Sequence, residues 1–135
     1  MCGIAGYIGN KSFSKNTILN LLKLMKKRGP DSQKFLKKKI NKNSFLNLFF
    51  SRLSIIDANK RSDQPFKYKN LTLVFNGEIY NYKELKILLK NKGYNFLTNS
   101  DTEVLVKSID CWGLNAFKKF EGMWAIVYFD EFKNK

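Results

Sequence analysis

Three apolar runs do most to limit the folds open to this chain: "SFLNLFFS" at 44–51, "LTLVF" at 71–75 and "MWAIVYF" at 123–129. Each is short, rich in aromatic and branched residues, and apolar enough to be buried as a strand. Residues 2–8 and 34–40 read as two further strands, and "YNFLT" at 94–98 as a short one. Between them lie helical patterns. Ile18, Leu21, Leu22 and Met25 share one face of a helix over 17–27, with Asn16 as its cap. Leu85, Leu88 and Leu89 do the same over 82–92, with Asn81 as cap and Gly93 as stop. "SDTE" at 100–103 has capping-box spacing and starts a helix that runs to Gly113, and a short helix is expected over 115–120. The order lacks regular βαβ spacing, so the expected class is α+β, built in layers.

The 135 residues, 44% of them hydrophobic, suit one domain with a true core. The first ten residues lack a basic stretch and are broken by glycines, so they do not read as a signal peptide, and the expected compartment is the cytoplasm. There Cys2 and Cys111 are expected as free thiols. No stretch is apolar for long enough to make a membrane helix.

The net charge of +14 comes almost wholly from lysine. Apart from Lys37–Lys39 the lysines are scattered, and no nucleic-acid motif accompanies them. A solvated lysine surface is therefore favoured over a nucleic-acid partner. More restrictive is the absence of histidine. It removes Ser-His and Cys-His pairs and the commonest metal ligand. With two cysteines a structural zinc site is not expected, and no metal-binding residue is assigned.

Proton chemistry must then use carboxylates, lysine, tyrosine or the chain's own amine. Cys2 follows the initiator methionine directly. Once Met1 is removed, its α-amine, with a pKa of about 7.7–8.0, is a base beside its own thiol. In "FNGEIYN" at 75–81, Asn-Gly is first a turn signal. A turn also sets the Asn76 amide beside the Gly77 N–H, two donors suited to an oxyanion. Glu78 is placed to meet an ammonium group. Arg52 in "SRLSIID" can form a paired bond to a carboxylate, or be a surface charge. Asp101 in "NSDTEV" can read an ammonium, or serve the helix N-terminus.

"MCGIAGYIG", "RGPDS", "RLSIID", "FNGEIYNY" and "NSDTEV" stand in the order found in class II glutamine amidotransferases, and nearly the whole chain resembles them. "RGPDS" and "NGEIYNY" resemble most the glutaminase domain of glutamine-hydrolysing asparagine synthetase. The resemblance implies an N-terminal-nucleophile hydrolase fold, an αββα sandwich of two antiparallel sheets. It implies that Cys2 attacks the side-chain carboxamide of L-glutamine and forms a thioester, while Asn76 and Gly77 hold the oxyanion. Arg52 would bind the α-carboxylate, with Leu53, Ser54, Ile55 and Ile56 as that wall, and Glu78 and Asp101 would face the α-amino group. Where the family often has histidine, Lys27 and Phe50 stand or lie close by.

In the family the domain continues beyond the last strand, and a second domain uses ATP and Mg²⁺ to activate aspartate or another acid. The expectation is thus a truncated type 2 amidotransferase domain over 1–135, incomplete at the C-terminus, without the synthetase domain and with no cofactor of its own. Its partners would be L-glutamine and a synthetase domain or companion polypeptide. A second reading is a vestigial fragment that binds glutamine or a partner polypeptide without turnover.

Overall fold

The computed structural model describes residues 2–57 and 59–135. Among the described residues six strands form two sheets. β1 (Gly3–Gly9), β2 (Ser32–Asn41) and β3 (Ser44–Arg52) make the first, in the order β1-β3-β2. β4 (Phe66–Tyr68), β5 (Leu71–Ile79) and β6 (Gly122–Asp130) make the second, in the order β4-β5-β6. All pairings are antiparallel.

Alternation along β3 explains the layers, because successive side chains leave a strand on opposite faces. Leu46, Leu48 and Phe50 pack with Val74 and Phe129 of the other sheet, and Cys2 and Ile4 join them. Phe49 points the other way, onto Ile18 and Leu22 of α1 (Lys15–Met25). In β5 the odd residues Leu71, Leu73 and Phe75 meet α2 (Tyr82–Asn91) and α3 (Asp101–Trp112) through Leu85, Leu89, Val104 and Leu105. The result is helix, sheet, sheet, helices: the αββα sandwich. The same period places Cys2, Arg52 and Glu78 toward the space between the sheets, at one end of the sandwich.

Several local expectations are corrected. Ser14, not Asn16, caps α1, its Oγ accepting from the Thr17 N–H at 3.2 Å. Asn81 precedes α2 but makes no capping bond. Its amide instead donates to the Lys119 carbonyl and accepts from the Glu121 N–H, tying α2 to the start of β6. Gly93 does follow α2, in the left-handed region at φ 87°. Ser100 caps α3, but Glu103 does not complete a capping box. Its carboxylate accepts from the N–H groups of Leu97 and Thr98 and from Lys107. That is why 94–98 is not a strand: its amides and the Asn95 carbonyl are held by Glu103 and Lys107 rather than by a neighbouring strand. Residues Gly113–Lys119 form a 3₁₀ helix, a second one covers Lys60–Ser62, and β4 carried no sequence signal. Cys2 and Cys111 are free thiols. No described helix is long and apolar enough to cross a membrane.

Candidate active site

Asn76-Gly77 does not form a turn. β5 runs on to Ile79, and Asn76, Gly77 and Glu78 pair with Ala125, Trp124 and Met123 of β6. Glycine is required for this, since a Cβ on Gly77 would lie 2.1 Å from the Met123 carbonyl oxygen. Its φ of 156° also lies where side chains rarely go. The dipeptide thus allows two strands to approach closely beside the cleft.

A cleft with an empty volume of about 650 Å³, counted to its open mouth, lies at this end of the sandwich. Cys2, Arg52, Leu53, Ile55, Ile56, Gly77, Glu78 and Asp101 line it. Eight of the ten residues implied by the resemblance therefore meet in one place, brought from four separate stretches of chain. Ser54 does not line it; its N–H donates to Asp31 Oδ2 at 2.7 Å. Asn76 does not line it either, and its Oδ1 is buried without a hydrogen-bond partner. Phe50, Ser62, Gln64, Phe75, Ser100, Thr102 and Met123 complete the lining, and sequence reasoning assigned none of them a role in the site. Ser100 had a capping signal only, and Thr102, Ser62 and Gln64 had none.

The thiol is docked on the arginine loop. Cys2 Sγ accepts from the Leu53 N–H at 3.4 Å, and its S–H faces the Leu53 carbonyl at 3.6 Å. The two contacts fix the sulfur against the backbone of Leu53. The removal of Met1, on which the amine's role depends, lies outside the described residues.

"RGPDS" braces that loop from behind. Gly29 lies so close to the end of β3 that a Cβ would sit 2.3 Å from the Ser51 carbonyl. The Asp31 N–H donates to the Arg52 carbonyl at 3.0 Å, next to the Asp31–Ser54 bond. Asp57, in the left-handed region at φ 50°, closes the other side by accepting from the Asn99 N–H at 2.9 Å. That bond, above all, holds its carboxyl below the usual carboxylate range.

Arg52 is buried and heavily committed. One terminal nitrogen donates to Asp63 Oδ1 at 2.6 Å and the Asn59 carbonyl at 2.9 Å. The other donates to the carbonyls of Asp57 and Ile56. It thus shapes the loop that forms the cleft wall, with both terminal nitrogens committed to that loop and to Asp63. Burial opposes ionisation of Asp63, but Lys34, Arg52 and Ser32 outweigh it and lower its pKa.

Asp101, at the first turn of α3, is held in place by the Ile79 N–H, which donates to Oδ2 at 3.3 Å. Burial pushes its pKa up, and neighbouring Glu78 adds to this against the backbone N–H groups of Ile79 and Thr102. A buried carboxylate beside a second one suits a cationic ligand group. Among the described residues no group of three or more metal-ligating side chains gathers.

The αββα sandwich is the fold of the N-terminal-nucleophile hydrolases. Glutamine phosphoribosylpyrophosphate amidotransferase of Bacillus subtilis superposes with a TM-score of 0.68 over 94% of this chain and 35% of its own, at 21% identity. The sequence profile of the glutamine amidotransferase domain matches residues 1–135, and the chain belongs to that family. Asparagine synthetase [glutamine-hydrolyzing] 1 of B. subtilis is 35% identical over 97% of this chain and 21% of its own length. Asparagine synthetase [glutamine-hydrolyzing] 2 of the same organism is 37% identical over 100% of this chain and 18% of its own. The chain therefore spans about a fifth of these relatives.

Proposed function

We propose that this domain hydrolyses L-glutamine to glutamate and ammonia, as the glutaminase part of an asparagine-synthetase-type system. The observation that carries the reading is the shared cleft: one thiol, one arginine and two carboxylates face the same space. Glutamine has the matching groups, a carboxamide at one end and an ammonium and carboxylate at the other.

In this reading the Cys2 thiolate attacks the carboxamide carbon, and the carbonyl electrons move onto oxygen. The Gly77 N–H and the Asn76 amide receive that oxyanion, which requires the Asn76 side chain, with its buried and unpartnered Oδ1, to turn toward the ligand. The Cys2 α-amine, which took the thiol proton as sulfur attacked, gives it to the departing ammonia, and then takes one from water as water attacks the thioester. Glutamate leaves and the thiolate returns. Ionised Asp101 and Glu78 take the ammonium, and Arg52 attracts the α-carboxylate against the wall of Leu53, Ile55 and Ile56. Ser54 sets that wall through Asp31. Ammonia passes to a synthetase domain or companion polypeptide for transfer to aspartate or another acid. The remaining four-fifths of the B. subtilis relatives support such a partner.

The test is ammonia release from glutamine by the wild type and by Cys2→Ala. Turnover that is lost in the variant is expected. Equal rates would rule out the thioester, and full activity with Met1 retained would rule out the amine.

A further inference from the structure

β4 is too short to cover β5. Its pairing ends at Phe66 opposite Leu73. The same register would set Gln64 opposite Phe75, but the chain turns off at the Gln64–Pro65 bond, which is cis. The side chain of Gln64 replaces the missing strand. Its Oε1 accepts from the Phe75 N–H at 2.5 Å, while its Nε2 donates to Thr102 Oγ1 at 3.2 Å. All of this is buried. Thr102 adjoins Asp101, which in turn takes the Ile79 N–H. β5 is therefore tied to the first turn of α3 at residues 75 and 79. Asn76, Gly77 and Glu78 are the span between those ties.

We propose that Gln64 is a positioning residue, which fixes the oxyanion side of the cleft, Asn76 and Gly77, relative to the ammonium side at Asp101. This rests on the glutaminase reading. The role needs an acceptor and a donor on one planar group about 2 Å apart, which glutamine supplies and methionine, of similar length, does not. Misplacing oxyanion donors weakens the transition state more than the bound substrate. The defect should therefore fall on kcat rather than KM.

Gln64→Met and Thr102→Val, which cut both bonds or only the α3 bond, are compared with wild type, with Cys2→Ala and with Leu89→Ala, a core variant remote from the cleft. Steady-state ammonia release and thermal melts are measured for each. Gln64→Met is expected to lower kcat ten- to a hundredfold with KM changed less than threefold, and Thr102→Val to show the same split more weakly. Gln64→Glu restores an acceptor for Phe75 and should recover part of kcat. It also sets a negative charge near Asp101, and should move the acid limb of the KM profile to higher pH. If Gln64→Met does not fold, Thr102→Val and Gln64→Glu carry the test. The proposal is overturned if the folded Gln64 and Thr102 variants keep kcat within twofold of wild type. It is also overturned if Leu89→Ala shows the same kcat loss at a matched loss of Tm. Equal rates in wild type and Cys2→Ala overturn the glutaminase reading and this proposal together, a pattern distinct from either failure of the Gln64 series.

Discussion

Replacing Asp63 by asparagine tests how the cleft wall is held. The Arg52–Asp63 pair is 2.6 Å long, with side chains 6% and 3% exposed. Removing one partner of such a pair typically costs about 3–5 kcal/mol, because the other charge stays buried and unpaired. Asparagine keeps the size and one acceptor oxygen, which puts the cost at the low end. The second pair, Lys34–Asp63 at 3.0 Å, has a lysine 49% exposed and adds at most about 1 kcal/mol. The expected loss is about 3 kcal/mol, or a fall in Tm of roughly 10 °C for a domain of this size. Because folding lowers the Asp63 pKa from 3.8, its contribution is fully present above that value and is lost as pH falls through the lower folded-state value. Urea unfolding of both proteins between pH 7 and pH 3 reads this directly. The gap should be constant from neutral pH down to about 4.5 and narrow below about 4. A gap under about 0.5 kcal/mol at pH 7, within the ordinary effect of a surface change, would refute the reasoning, as would one that widens on acidification.

Asp101→Asn should raise stability at neutral pH by about 1 kcal/mol, since it removes a buried charge yet keeps an acceptor for the Ile79 N–H. The same variant should raise KM for glutamine at least tenfold, and a variant less stable than wild type by urea unfolding would contradict the burial argument. In the wild type, KM should rise as pH falls through the Asp101 pKa, which lies above 3.8, because the ammonium needs the ionised form; a KM flat to pH 4 would count against that contact. Gly29→Ala should destabilise by about 2–3 kcal/mol in a thermal melt, because the new methyl would meet the Ser51 backbone, which cannot swing aside as a side chain can. Leu89→Ala, at a fully buried position of α2, should cost about 2–5 kcal/mol by urea unfolding with kcat unchanged.

The residues differ in how much of their role could be read from the chain alone. β3 was legible because "SFLNLFFS" has no reason to be so apolar unless both faces are covered, and both are. α2 and α3 were legible from periodic leucines and valines with a glycine after each. Asn76-Gly77 misled, because a local turn preference was overridden by the ladder to β6, which lies more than forty residues away. Segment 94–98 misled for a similar reason: its alternation is real, but Glu103 and Lys107 take its backbone groups first. The chemically distinctive residues Cys2, Arg52, Glu78 and Asp101 could be picked out in the sequence. Gln64 and Ser62 could not, since single polar residues in the loop before Pro65 carry no periodic or motif signal. The commitment of Arg52 to Asp63 was equally hidden, because such a pairing depends on loop geometry.

The central claim is that Cys2 is the nucleophile of a glutamine-shaped site. It is tested most directly by treating the protein with a diazoketone analogue of glutamine and locating the adduct by peptide mass spectrometry. The account predicts one adduct, on a peptide that begins at Cys2, blocked by excess glutamine and absent from Cys111. Labelling of Cys111 to the same extent, or labelling of Cys2 that glutamine does not slow, would contradict it.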